Sequence, residues 1–394
     1  MNTFKLKIKE NFYQLFVLLL AGIVFSIWAY RIPFNNAPDE LMRYQIPQFI
    51  FKYGRLPTGY DPEVIYGLGN WSYAFYPQFL GSILSTFFMG IISIFKNSDH
   101  AILFGARMAS ILFGMITVWF TGKSIEIITK SKIISILGMI LISFLPQFTF
   151  LSSYVNNDII AVAGASIIVY VSIKAYQHSW TIYNSVLLAI GFIICGLGYL
   201  NSYGFILMGS LFFIVSNFLD FRNNELNWKK IKLYTLIVFS LNMIISFPFF
   251  MRNYILYNDF LGMRTFRKEY TRWLSEGGQI LQQPYQGNIF NLLNDTNNMK
   301  IIFHSFVGQF NYMTIIMEKS YYNFYLCIFI IAIIGIIYKL VKNILTSRKK
   351  IDNKKIFLNT SIILSCLITI GLHIYYMLKI DYQAQGRYIM AISS

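Results

Sequence analysis

Apolar residues along this chain fall in long runs separated by short charged turns. A helix needs about 20 mostly apolar residues to cross a bilayer. Runs of that kind lie near 11–30, 73–95, 104–121, 133–151, 159–174, 181–199, 203–219, 233–251, 321–341 and 356–378. The turns between them carry the basic residues, and basic residues in short loops mark the cytoplasmic side. Lys5, Lys7 and Lys9 therefore put the N-terminus inside. Lys123, Lys130 and Lys132 mark a second inner turn, Arg222, Lys229, Lys230 and Lys232 a third, and the run from Lys342 through Arg348, Lys349, Lys350, Lys354 and Lys355 a fourth.

Parity then constrains the first hundred residues. The 11–30 run leaves the cytoplasm, and the 122–132 turn is back inside it, so one full crossing lies between them although two apolar runs are available. The run after Arg107, "MASILFGMITVWFTGKSIEII", ends at the basic turn and is the better crossing. The 75–95 run, with Pro77, Gly81 and Gly90, is expected to lie along the outer face or to dip in and out of it. The outer side then holds a long loop at 31–103, short loops at 152–158 and near Leu200, a large loop at 252–320 and the stretch "KIDYQAQGRY". The expected architecture is all-α, a single polytopic membrane domain over 1–394 with nine to ten transmembrane helices and juxtamembrane helices in the first outer loop.

Composition supports that class. The 394 residues are 56% hydrophobic and 13% charged, against roughly 45–50% and 25% in soluble domains. The net charge of +16 sits in the turns and forms no basic groove motif, so nucleic acid is not an expected partner. Cys195, Cys327 and Cys366 lie inside apolar runs and read as small membrane-helix residues, with no disulfide framework. His100, His178, His304 and His373 have no metal-binding spacing. The N-terminal apolar run is too long for the core of a signal peptide and lacks a small-residue cleavage pattern, so it reads as an uncleaved first span.

Against this background the acids at the outer ends of spans stand out. "NNAPDELMRYQ" places Asp39 and Glu40 just past the first span, and "SSYVNNDIIAV" places Asp158 at the start of another. Each has a bland reading as a helix start, where Asn or Asp caps the first turn and acids complement the dipole. Their shared face and aromatic surroundings, Tyr44 and Trp71 among them, make a general base for an acceptor hydroxyl the sharper reading. Arg387 in "QGRY", with Tyr388 beside it, and Arg252, Arg264, Arg267, Lys268 and Arg272 offer charge-assisted bonds to a phosphate. Singly, such residues also suit lipid headgroups. "YGLGNW" lacks the spacing of a phosphate loop and reads as a turn.

The order "APDELMRY", "WSYAFYPQFLGSIL", "FGARMASILFGMITVWF", a basic turn, "FLPQFTFLSSYVNNDIIAV" and the late "QGRYIMAI" resembles the GT-C glycosyltransferase superfamily. Protein mannosyltransferases that use dolichyl-phosphate-mannose and the lipid A aminoarabinose transferases are its nearest named branches. The resemblance covers most of 1–200 and the stretches near 250–262 and 381–392. It implies a bacterial plasma-membrane enzyme that moves a sugar from a polyprenyl-phosphate carrier to a cell-envelope glycan, lipid or protein on the outer face. Asp39 or Glu40 would act at the acceptor or at a metal, and Asp158 would be the second acid, with Asp39 and Asp158 able to hold a divalent cation such as Mg or Mn. The aminoarabinose branch has a phosphate-contacting Lys before its Pro-containing stretch; "GNWSYAFYPQ" has none, so Arg387 or a loop Arg would substitute. The chain stops at "AISS" where a further span would begin, which leaves the C-terminal helices usual in the family outside it or missing. The competing reading is a lipid-linked glycan flippase, polymerase or transporter. Such a protein places ionisable groups within its spans, whereas here they gather at span ends.

Overall fold

The computed structural model describes residues 11–346 and 352–393. Lys5, Lys7 and Lys9, and with them the N-terminal orientation, lie outside the described residues, as do Arg348, Lys349 and Lys350. The chain is helical almost throughout. In order, the helices are α1 (Phe12–Arg31), α2 (Glu40–Tyr53), α3 (Leu80–Phe95), α4 (Asp99–Thr129), α5 (Lys132–Ser143), α6 (Pro146–Leu151), α7 (Asp158–His178) and α8 (Ile182–Gly198). There follow α9 (Tyr203–Arg222), α10 (Trp228–Ile245), α11 (Phe247–Tyr257), α12 (Met263–Ser275), α13 (Ile289–Asn294), α14 (Thr296–Val307), α15 (Lys319–Thr346) and α16 (Asn353–Lys379). A two-stranded hairpin, Gln309–Phe310 paired antiparallel with Ile315–Ile316, is the only sheet among the described residues.

Six of these helices are long and apolar enough to cross a membrane, and seven spans result if the α10–α11 pair, bent by 42°, is taken as one. Three further apolar helices, α3, α5 and α8, are shorter than this. Of these, α5 with α6, and α8, run between the two ends of α7: Lys130, before α5, bonds to Gln177 at one end, and the Gly198 carbonyl that closes α8 accepts from Asn157 at the other. The 133–151 run is divided because Pro146 opens a new helix as its first residue, a position where its missing N–H costs nothing. The 75–95 run yields the 16 residues of α3, which pack on the first half of α4, Ser85 Oγ donating to the Ala106 carbonyl at 2.8 Å. The 252–320 loop is not irregular: it folds into α12, α13, α14 and the hairpin.

At the centre lies α7, apolar and buried on nearly every side, as a helix surrounded by other helices must be. Its 21 residues hold its ends about 30 Å apart, and the two ends differ in chemistry. At the His178 end the basic turns converge: Lys130 Nζ donates to Gln177 at 2.7 Å, Tyr176 Oη to Asp352 at 2.8 Å, and Lys354 pairs with Asp220 at 2.6 Å. At the Asp158 end lie the 31–79 segment, α12 and the 381–390 stretch. The chain is a multi-pass membrane protein with its basic turns at one end of α7 and Asp39, Asp158 and Arg387 at the other.

Candidate active site

The site is built on a buried ion pair. Glu40, the first residue of α2, meets Arg107 of α4, and neither side chain has any exposure. Arg107 Nε and Nη2 donate to the two carboxylate oxygens of Glu40 at 2.8 Å each. Arg107 Nη1 donates to the carbonyls of Ala29 and Ile32 at 2.7 Å. Glu40 also accepts the backbone N–H of Asn35 at 3.1 Å and of Val155 at 3.3 Å. The pair therefore joins the end of α1, the start of α2, the middle of the bundle and the 152–157 loop. Its bonds are internally satisfied, which is the condition under which buried charge is tolerable. Glu40, expected to share the chemistry, is instead committed to this joint; its burial leaves no face for a substrate.

The joint fixes Asp39. Its backbone is left-handed, with φ +64°, a conformation that costs a non-glycine residue about 1–3 kcal/mol and collects at functional sites. Its side chain remains about a third exposed, at 32%. The second acid arrives through "YVNND". Asn156 caps α7, its Oδ1 accepting the N–H of Ile159 at 3.0 Å. Asn157 donates to the Gly198 carbonyl at the end of α8 at 2.8 Å, and Asp158 is left pointing into the site.

Arg387 comes to both acids. Its Nη2 lies 2.9 Å from Asp39 Oδ2 and its Nη1 3.8 Å from Asp158 Oδ2. Nη1 also reaches Tyr154 Oη at 3.4 Å, and Nη2 donates to Tyr388 Oη at 3.0 Å. Its Nε is buried and has no hydrogen-bond partner among the described residues. Gly386 makes the approach workable: a methyl group there would lie 2.4 Å from the Ile302 carbonyl oxygen and from the Phe306 nitrogen of α14. Only glycine lets the backbone pass so close. Burial opposes the charge of Arg387, but Tyr388, Asp39, Tyr154 and Asp158 outweigh it and hold the guanidinium firmly protonated. Burial pushes the Tyr388 hydroxyl up to about 12, so it is neutral near pH 7 and donates onward to Gln383.

A fourth group completes the site. Arg43, one turn along α2 from Asp39, lays its guanidinium on the Tyr73 ring at 3.5 Å and near the Tyr199 ring at 5.6 Å. Burial works against its charge, while Tyr73, Tyr199, Asp39 and Asp158 raise its pKa above the ordinary value. Among the described residues it is in no ion pair closer than 4.0 Å. The sequence pattern singles out Tyr73 among the aromatic surroundings of the acids but not Arg43, Tyr154 or Tyr199, although the i to i+4 spacing from Asp39 puts Arg43 on the same side of α2.

The remaining expected residues lie around the site or away from it. Trp71 is part of its wall, stacked on Phe266 of α12 with ring centres 5.7 Å apart. Tyr44 packs on Phe34 and belongs to an apolar cluster with Met89, Ile102 and Val155. Arg252 donates to the Pro57 carbonyl at 2.7 Å and lies over Phe79, where it braces the first loop. The geometry does not bring Tyr44 or Arg252 to Asp39. Nor do Asp39 and Asp158 fit a divalent cation as they stand. A cation would need oxygens from both at about 2.0–2.6 Å, and the Arg387 guanidinium occupies the space between them, hydrogen-bonded to Asp39 at 2.9 Å and 3.8 Å from Asp158. Among the described residues no group of three His, Cys, Asp or Glu side chains is placed to hold a metal.

Comparison with known proteins gives a consistent fold. The family model for dolichyl-phosphate-mannose-protein mannosyltransferase matches residues 83–249. No curated protein matches the sequence. Among solved structures, ArnT from Cupriavidus metallidurans, bound to undecaprenyl phosphate, superimposes over 97% of this chain with a TM-score of 0.52 and 11% identity. The archaeal oligosaccharyltransferase AglB from Archaeoglobus fulgidus, in complex with an inhibitory peptide and a dolichol-phosphate, superimposes over 98% with a TM-score of 0.54 and 14% identity. The chain spans 58% of the first of these proteins and 50% of the second. With a family match through its central helices and a likeness running its whole length, the chain is a helical membrane protein of the GT-C fold.

Proposed function

We propose that the chain is a glycosyltransferase of the bacterial plasma membrane that moves a sugar from a polyprenyl-phosphate carrier to a hydroxyl of an envelope acceptor on the outer face. The observation that carries this reading is the meeting of Asp39, Asp158 and Arg387 from distant parts of the chain, with Arg43 beside them. Oδ2 of Asp39 is taken by Arg387, and its exposed carboxylate has a second oxygen to accept a proton. In the transfer, the acceptor oxygen bonds to the anomeric carbon while the bond from that carbon to the phosphate oxygen breaks. The acceptor's proton passes to Asp39. The electron pair leaves with the carrier phosphate, whose charge the Arg43 guanidinium stabilises, with the buried positive charge of Arg387 behind Asp39 adding to the local field. Asp158 holds Arg387 from the other side and positions it. No step requires a metal ion.

Two further features support the reading. An apolar groove of about 370 Å³, lined by Ile27, Trp28, Ile32 and Phe150 among others, borders the loop that carries Asp39 and suits part of a lipid tail. ArnT and AglB are both bound to polyprenyl-type phosphates. The test is a chemical profile of envelope glycans from cells without this protein, complemented with the wild type or with Asp39→Asn. One sugar substituent should disappear in the deletion and return only with the wild type. Full restoration by Asp39→Asn, or an unchanged profile in the deletion, would overturn the reading.

A further inference from the structure

The amphipathic helix α12 has a face that the transfer chemistry does not use. Its inward side is consumed by the protein: Phe266 stacks on Trp71 and packs on Tyr76 with ring centres 5.3 Å apart. Tyr270 lies against Trp71, and Tyr60 donates to the buried Glu269 at 3.2 Å. The outward side carries Arg264, Arg267, Lys268 and Arg272, all exposed.

The acids nearby do not neutralise this strip. Asp259 is committed to the backbone N–H groups of Arg264 and Thr265 at 2.8 and 3.1 Å. Glu276 pairs with Arg272 at 3.1 Å. Arg264, Arg267 and Lys268 are in no ion pair among the described residues. Three positive charges therefore stand within about 6 Å along one helix.

A helix that lies on a bilayer buries its apolar face in lipid. Here the aromatic face is already buried against the first outer loop, and only the basic face is exposed. The strip also stands beside the active site: Phe266, on the inward side of the same helix, stacks on Tyr73 with ring centres 6.5 Å apart, and the Tyr73 ring carries the Arg43 guanidinium at 3.5 Å.

Building on the transferase reading, we infer that the acceptor is a polyanionic envelope polymer, and that Arg264, Arg267 and Lys268 hold its charged repeats while one hydroxyl reaches Asp39. Charge complementarity of this kind gives salt-dependent capture and orientation.

The inference is tested by binding rather than turnover. The full chain is placed in nanodiscs of phosphatidylcholine alone and titrated with fluorescent oligo(glycerol phosphate) or with neutral dextran of equal length. The wild type should bind the anionic oligomer, more weakly as salt rises, and should leave dextran unbound. The triple variant R264Q/R267Q/K268Q should bind roughly tenfold more weakly, and a control at the opposite end, K229Q/K230Q/K232Q, should match the wild type. Melting temperature and elution volume check that each variant is folded, and a single reversal, Arg267→Glu, serves as a second variant. Equal binding by wild type and triple variant, or equal binding of dextran, overturns the inference. So does binding that appears only when phosphatidylglycerol is in the nanodisc, which would assign the strip to the membrane surface. Strip-dependent binding stands whether or not the transferase reading does, which the envelope-glycan profile tests separately.

Discussion

Two adjacent carboxylates, Asp39 and Glu40, have been given opposite work by a few backbone angles. Glu40 turns inward to Arg107 and becomes part of the frame; Asp39, forced into a left-handed conformation, turns toward Arg387. Removing one partner of a buried pair leaves a charge without compensation and costs about 3–5 kcal/mol. Glu40→Gln should therefore lower the melting temperature of the purified protein sharply, whereas Asp39→Asn, at a partly exposed position, should change it little. The reverse order would show that the frame has been assigned to the wrong acid. Arg43 permits a separate test. If it holds the carrier phosphate, Arg43→Gln should lose polyprenyl phosphate in native mass spectrometry while Asp39→Asn retains it. Equal retention by both would remove Arg43 from that role. From the sequence, Asp39, Asp158 and Arg387 could be picked out because each sits next to a span end. Arg43 could not be separated from other basic residues, since its significance comes from the Tyr73 and Tyr199 rings on either side. Glu40 could not be separated from Asp39 either, because burial is set by α4 and the 152–157 loop, distant in sequence.

At the scale of elements, the site depends on how closely the 381–390 stretch lies against α14. Gly386 N–H donates to Ser305 Oγ at 2.7 Å, and the contact with the α14 backbone leaves no room for a side chain at this position. Gly386→Ala must push the two segments apart, at a cost of about 1–3 kcal/mol, and swing Arg387 away from Asp39 and Asp158. Transfer should fall by far more than the modest loss of melting temperature would explain. Transfer at the wild-type rate would mean that Arg387 does not need this placement. Helix existence was legible from hydropathy, and the interruption at Pro146 and the short α3 follow from local rules about proline and length. The 252–320 segment was harder to read. Its helices are held by long-range aromatic packing, such as Phe266 on Trp71, that no local pattern announces.

At the scale of the whole molecule, two groups of charged residues stand at opposite ends of α7. The basic turns interlock at the His178 end of α7, and the acids of the site meet Arg387 at the Asp158 end. Parity read from the sequence assigned these groups to opposite faces, and the fold keeps them about one bilayer core apart along a single helix. With Cys195, Cys327 and Cys366 replaced, a cysteine at Arg267 should react with a membrane-impermeant maleimide in intact cells. One at Lys130 should react only after lysis. Labelling of both in intact cells would break the topology. The central claim is that this end of the molecule transfers a sugar from a lipid phosphate with Asp39 as the base. Its most direct test is release of polyprenyl phosphate from a labelled polyprenyl-phosphate sugar by purified protein supplied with an envelope acceptor. The wild type should release it in an acceptor-dependent way, and Asp39→Asn should slow the release about 100-fold or more. Release at the same rate by both proteins would contradict the claim.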